Sequence, residues 1–277
     1  MINFVKMQGT GNDFIILNGI EEELGKYSDL AKKTCDRHFG IGADGMIVVE
    51  NSSIADIKMV FFNADGTEAP MCGNGIRCFS KYVYDNGIIQ KTTFKVETLA
   101  GIMEPKLNIE DGIVKSVTVN MGAPKLSTKS FPIITDEETF INKEIKVEDE
   151  IFNISTLSVG TIHSIIKVDN LEIIDIKKIG PLIENYRVFS KKTNVNFCEI
   201  VDKNNIKMLT WERGVGQTLA CGTGACASAF ICSKLYNTSK KVKVHVLGGI
   251  LEIELIEGLI FMTGPAELIC KGVFYLD

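Results

Sequence analysis

Through the first half of the chain, short apolar stretches follow one another at close intervals, each bounded by Gly, Asn or Asp. They include MIVVE at 46–50, IKMVFF at 57–62, TTFKVETL at 92–99, GIMEPKLNI at 101–109 and IVKSVTVNM at 113–121. Runs this short, rich in β-branched residues and partly alternating, predict strands. The pattern changes in two places only. From Cys72 to Tyr84 and from Cys221 to Leu235 the apolar residues recur at helical spacing, and small residues crowd the second segment. Each half is therefore expected to hold many strands and one principal buried helix.

Both helical segments open on the same kind of turn, Met71–Cys78 (MCGNGIRC) and Ala220–Cys226 (ACGTGAC), with Cys72 and Cys221 149 residues apart. The same offset carries Ile57–Val60 (IKMV) onto Ile206–Leu209 (IKML) and Gly11–Ile16 onto Gly160–Ile165. Val96–Glu104 meets Val244–Glu252 at an offset of 148. A shared offset over this length predicts a duplicated domain. The polar segment Ser127–Asp149 is the expected linker, giving domains at 1–130 and 150–277, with the C-terminal strand available to complete the first.

A glycine turn at a helix start leaves backbone N–H groups aimed outward, with the positive end of the helix dipole behind them. Such a terminus suits a substrate carboxylate, and the same field should lower the pKa of a cysteine placed there. Two such sites facing each other would set two sulfurs on opposite sides of one carbon. Removing a proton from one face and returning it to the other needs this arrangement. Cys35, Cys78, Cys198, Cys226, Cys232 and Cys270 lack the glycine turn and are expected to be packing residues.

Composition narrows the alternatives. A net charge of −5 leaves no basic excess for a phosphate backbone, so nucleic acid is not an expected partner. No stretch approaches the apolar length of a membrane span, and the N-terminus lacks signal-peptide order, which makes the cytoplasm the expected location. The three histidines are scattered and the cysteines lack zinc spacing, so no metal is expected. Neither glycine motif continues as a P-loop or a dinucleotide fingerprint.

Over nearly its whole length the sequence resembles the diaminopimelate epimerase family. The resemblance rests on Met7–Phe14 (MQGTGNDF), Gly40–Gly45 (GIGADG), Phe62–Phe79 (FNADGTEAPMCGNGIRCF), Thr193–Val195 (TNV) and Trp211–Ala227 (WERGVGQTLACGTGACA). It implies an α+β fold of two similar domains related by a pseudo-two-fold axis, each a β-barrel-like sheet around a central helix, with the active site in the cleft between them. It implies an isomerase that converts L,L-diaminopimelate to the meso form for lysine and peptidoglycan synthesis, without a cofactor. Its partner would be a small amino-acid substrate, and a homodimer is allowed.

By position, Cys72 and Cys221 match the family's catalytic pair, with Cys72 the base toward the L,L substrate and Cys221 the acid. His163 and Glu212 match positions that tune thiol pKa. Asn12, Asn63, Gly73, Asn74, Thr161, Asn194, Glu212, Arg213, Gly222 and Thr223 match substrate-binding positions, with Asn63, Asn194, Glu212 and Arg213 toward the substrate's far end. Two positions depart from the pattern: Thr161 stands where an asparagine is usual, and Gly45 where some members have glutamine. These leave room for a racemase of the same fold acting on another amino acid, such as histidine or a lanthionine-like substrate. A module that senses redox state through its thiols is the reading from a different class.

Overall fold

Each β-type run forms a strand, and in each half the strands wrap one helix. The computed structural model describes residues 1–276. The chain divides into two units, one running from Met1 to Asn120 and resuming at Thr263, the other spanning Met121–Met262.

In the first unit the sheet order is Glu267–Phe274, Ile2–Gly9, Asn12–Asn18, Gly45–Glu50, Ile57–Asn63, Val96–Thr98 and Gly101–Met103, with Glu68–Ala69 paired beside Ile57–Asn63. In the second it is Phe140–Val147, Glu150–Val159, Thr161–Val168, Asn194–Asp202, Asn205–Glu212, Lys241–Val246, Gly249–Ile256 and Leu259–Gly264, with Gly216–Thr218 beside Asn205–Glu212. The duplication extends to strand register. His163 pairs with Asn194 as Phe14 pairs with Gly45. Ile206 pairs with Val244 as Ile57 does with Val96, and Thr210 with Thr218 as Phe61 with Ala69. A one-residue slip would turn every side chain to the other face, so conserved register keeps equivalent residues on equivalent faces.

The helices are α1 (Tyr27–Cys35), α2 (Gly73–Asp85), α3 (Ile176–Glu184) and α4 (Gly222–Tyr236). Helix α2 buries Ile76, Cys78, Phe79 and Val83 completely, and it packs on four strands of its own sheet. Helix α4 is buried around most of its circumference, through Ala225, Cys226, Ala227, Ala229, Ile231 and Cys232. Its small residues let the surrounding strands approach closely. Buried over most of their surface, these two helices are the cores on which the sheets pack.

Three expectations change. Each unit has a second helix, and α1 and α3 coincide at the 149-residue offset, so this pair belongs to the duplication too. The expected linker contains the strand Phe140–Val147, which forms a hairpin with Glu150–Val159 and buries Phe140, Ile145 and Val147. Cys270 lies exposed on Glu267–Phe274 and does not pack, because that strand shows most of its residues to solvent.

Candidate active site

Cys72 and Cys221 are the N-cap residues of α2 and α4, with nearly the same extended backbone: φ −131°, ψ 121° and φ −127°, ψ 109°. Each carbonyl starts its helix, accepting from Ile76 N at 2.8 Å and Ala225 N at 2.9 Å. The first-turn N–H groups, those of Gly73 and Asn74 and of Gly222 and Thr223, therefore lie at helix starts, where no carbonyl of the helix can take them.

In the first unit, Cys72 Sγ accepts from Gly75 N at 3.4 Å. The thiol donates to Asn12 Oδ1 at 3.8 Å, an oxygen that also accepts from Asn74 Nδ2 at 3.4 Å. Asn12 is brought there by a turn with left-handed backbone at Thr10 (φ 57°) and Gly11 (φ 87°). Asn63 ends its strand exposed, and its amide donates to Thr67 Oγ1 at 3.0 Å. Gly45 explains its own departure from the pattern: a Cβ there would lie 2.6 Å from Phe61 Cε2 and 2.8 Å from the Phe62 carbonyl.

In the second unit, Cys221 is buried, and its sulfur lies 3.5 Å from Thr223 Oγ1. That hydroxyl is 2.9 Å from His163 Nε2, and Thr161 Oγ1 is 3.0 Å from the same nitrogen. Asn196 takes the Thr210 hydroxyl proton on Oδ1 at 3.1 Å and directs Nδ2 at His163 Nδ1, 3.2 Å away. With Nδ1 accepting, Nε2 carries the proton and donates to the threonines. Complete burial, with the Arg213 charge adding to it, pushes the His163 pKa down to about 3, so the ring is neutral at physiological pH. Thr223, accepting from His163, is left to donate to the Cys221 sulfur.

The expected fall in thiol pKa is not found at Cys221. Burial pushes this thiol well above its ordinary range, and the nearby Glu212 carboxylate pushes the same way; the Thr223 hydroxyl and Gly224 N–H oppose them more weakly. A helix terminus is worth about 1 kcal/mol where it is exposed, too little to offset desolvation of a buried anion. Cys221 is therefore a proton-holding thiol.

Glu212 also accepts from Thr218 Oγ1 at 2.7 Å, which fixes it beside Cys221. Asn194 holds the neighbouring backbone, its Oδ1 accepting from Arg213 N at 2.9 Å and its Nδ2 donating to the Ile162 carbonyl at 2.8 Å. Arg213 Nη1 donates to the Lys191 carbonyl at 3.0 Å. Helix α3 braces this stretch from below. Glu184 accepts from Trp211 Nε1 at 2.7 Å and Gly214 N at 3.1 Å, and Gly180 packs so tightly that a Cβ would come within 2.7 Å of the Trp211 ring.

The structure thus gathers Asn12, Gly73 and Asn74 around Cys72, and Thr161, His163, Glu212, Gly222 and Thr223 around Cys221. The sequence reading missed Asn196, Arg77 and Asp44, each of which hydrogen-bonds one of these groups. Asn196 had a signal, since it stands two residues after Asn194 on one strand and therefore on the same face. Among the described residues, no cluster of His, Cys, Asp or Glu is placed to hold a metal ion, and no helix is long and apolar enough to cross a membrane.

Residues 4–127 and 155–269 match the family model described as diaminopimelate epimerase. The protein of that name from Caldanaerobacter subterraneus subsp. tengcongensis is 48% identical over 272 residues, covering 98% of each chain. One from Methanococcus maripaludis is 44% identical, over 98% of this chain and 99% of its own. Among solved structures, a Bacillus anthracis phenazine biosynthesis protein of the PhzF family superposes with a TM-score of 0.73 at 17% identity, covering 99% of both chains. A probable proline racemase from Agrobacterium radiobacter K84 does so at 0.75 and 13%, over 100% of this chain and 94% of its own. At those identities the likeness concerns the fold alone.

Proposed function

Since the chain belongs to the diaminopimelate epimerase family, we propose that it interconverts L,L- and meso-diaminopimelate by passing a proton between Cys72 and Cys221. The observation that carries this reading is the 48% identity to a named diaminopimelate epimerase along 98% of both chains. Two helix-capping thiols, one in each duplicated unit, supply the chemistry.

In the L,L-to-meso direction the Cys72 thiolate takes the α-proton, leaving the electron pair on the α-carbon. The Cys221 S–H then gives its proton to the opposite face and is left as a thiolate. The raised pKa of Cys221 suits it to begin as the acid. In the reverse direction the roles exchange. The first-turn N–H groups of Gly73, Asn74, Gly222 and Thr223 hold the substrate carboxylate at the reacting carbon, where they stabilise the charge that develops as the C–H bond breaks. Asn12 contacts the substrate beside Cys72.

Arg213 and Asn194 take the distal carboxylate, with Asn63 at the same end, and Thr161 offers donor and acceptor on one hydroxyl oxygen where an amide would offer them on two separate atoms. Glu212 acts on the Cys221 thiol, and its placement there supports the tuning role over a contact at the substrate's far end. The product would serve lysine and peptidoglycan synthesis.

Purified protein incubated with L,L-diaminopimelate, and separately with lanthionine and histidine, tests this by chiral chromatography. Turnover of diaminopimelate alone is expected; no turnover of it would overturn the reading. Cys72→Ala and Cys221→Ala should each lower kcat by roughly a hundred- to ten-thousand-fold, the range for loss of a general acid or base.

A further inference from the structure

Four side chains, Arg77 and Asn74 on α2, Asn12 at the start of its strand and Asp44 just before Gly45–Glu50, form a directed line of hydrogen bonds that passes Cys72. Arg77, fully buried, donates through Nη1 to Asn74 Oδ1 at 2.9 Å and to the Gly73 carbonyl at 3.1 Å. Its Nη2 donates to Thr10 Oγ1 at 2.6 Å and its Nε to the Pro265 carbonyl at 3.2 Å. Asn74 then donates from Nδ2 to Asn12 Oδ1, and Asn12 donates from Nδ2 to Asp44 Oδ2. Asp44 is itself pinned, taking Arg37 Nη2 on Oδ1 at 2.7 Å and Asp13 N on Oδ2 at 3.1 Å.

A guanidinium can only donate and a carboxylate can only accept. The two ends therefore dictate how each amide between them is turned. Asn74 must show its oxygen to Arg77, and Asn12 must show its nitrogen to Asp44. Asn12 is left with its oxygen toward the thiol, where it takes the S–H proton.

We propose that Asp44 and Arg77 are positioning residues, which fix from opposite ends the orientation of the Asn12 and Asn74 amides and so present an acceptor, not a donor, to Cys72. In substrate-free protein an acceptor at the sulfur favours the thiol over the thiolate, whereas a reversed amide would favour the thiolate; the Cys72 thiol must give up this proton before it acts as the base. This proposal rests on Cys72 being a reacting group. Among the other charged and titratable groups facing the line are Asp13 and Arg37 beside Asp44, Lys6 paired with Asp13, and the Cys78 thiol on α2, which interacts electrostatically with Cys72.

Asp44→Asn is the direct probe. Arg37 keeps the new Oδ1, so the new Nδ2 meets the Asn12 nitrogen, and two donors cannot bond. Only the long 3.4 Å bond from Asn74 Nδ2 then holds Asn12 as it is, so Asn12 should reverse in part of the molecules and turn its own Nδ2 toward the sulfur. The readout is the pH dependence of iodoacetamide alkylation at Cys72 in substrate-free protein, resolved by peptide mass spectrometry.

Asp44→Asn should lower the apparent Cys72 pKa by roughly half a unit, about threefold in alkylation rate at neutral pH. In an Asn12→Ala background the same substitution should change the rate by less than a quarter, because the amide it acts through is gone. A shift that is absent, upward, or equally large without Asn12 would overturn the proposal, the last because Asp44 would then act as a bare charge. Should Asp44→Asn fail to fold by thermal melt, Arg77→Lys replaces it in the same cycle with the same expected signs. It keeps the charge but gives up the fork that reaches Asn74 and Thr10 together. Alkylation needs no substrate, so this outcome is independent of whether diaminopimelate is turned over.

Discussion

The hydroxyl that the neutral His163 supports works against the burial that raises the Cys221 thiol. Removing that hydroxyl with Thr223→Val takes away a bond that favours the thiolate, so the Cys221 thiol should rise further. In the meso-to-L,L direction, where Cys221 must act as the base, the ascending limb of kcat/KM against pH should move to higher pH. A profile unchanged from wild type would rule out this hydroxyl contact. His163 also carries a pH-dependent stability. Its folded pKa of about 3 lies below the ordinary 6.5, so between these values the unfolded chain binds a proton that the folded chain does not. Stability therefore falls as the pH drops through that window. Urea titrations at pH 6 and pH 4 should show a smaller loss for His163→Gln than for the wild type, and an equal loss would contradict the buried neutral ring. The resemblance named His163 and Glu212 as groups that tune a thiol, but the direction of the tuning was not legible in the sequence. The glycine turn announced a reactive thiol, but burial and the Glu212 carboxylate, which settle its pKa, come from packing.

The cysteine-capped helices were legible as elements because the GxG turn marks a helix start and the apolar spacing continues behind it. Helices α1 and α3 were not. Each has nine residues, α1 begins at Lys26 with no side-chain cap, and α3 carries Gly180 and Pro181 in its interior. Such helices are held by what they pack on, and Gly180 against Trp211 shows what that is. The two capping turns look alike in sequence yet differ in the room around them. At Gly75 an added Cβ would meet its nearest neighbours, Cys72 Cβ and Ile47 Cδ1, at 3.2 and 3.3 Å; at Gly224 it would lie 2.4 Å from Asn196 Oδ1. Gly224→Ala should therefore lower Tm and activity far more than Gly75→Ala, since it must displace the amide that orients His163. Equal effects would mean that Asn196 moves freely. By the same reasoning Gly45→Gln, although it restores a residue some relatives carry, should cost about 1–3 kcal/mol in a denaturant titration. Its Cβ would press on the Phe62 carbonyl.

At the scale of the whole chain, the duplication was the most legible feature. Preserved pairing such as Phe14 with Gly45 and His163 with Asn194 shows that the repeat governs the sheets and not the motifs alone. The unit boundaries were less legible, because the polar residues of 127–149 include alternating positions of a hairpin strand whose inward side chains are buried. On the proposed mechanism, duplication also gives the chemistry its form: one ancestral helix-capping cysteine, copied, would provide the base and the acid that a change of configuration requires. The direct test is the isotope content of the first product formed from L,L-diaminopimelate in deuterium oxide. With Cys72 and Cys221 as separate groups, the meso product should carry deuterium at the inverted α-carbon while unreacted L,L substrate keeps its proton. Early meso product that retains the substrate's own α-proton would mean that a single group both removes and returns it, and would contradict the two-thiol account.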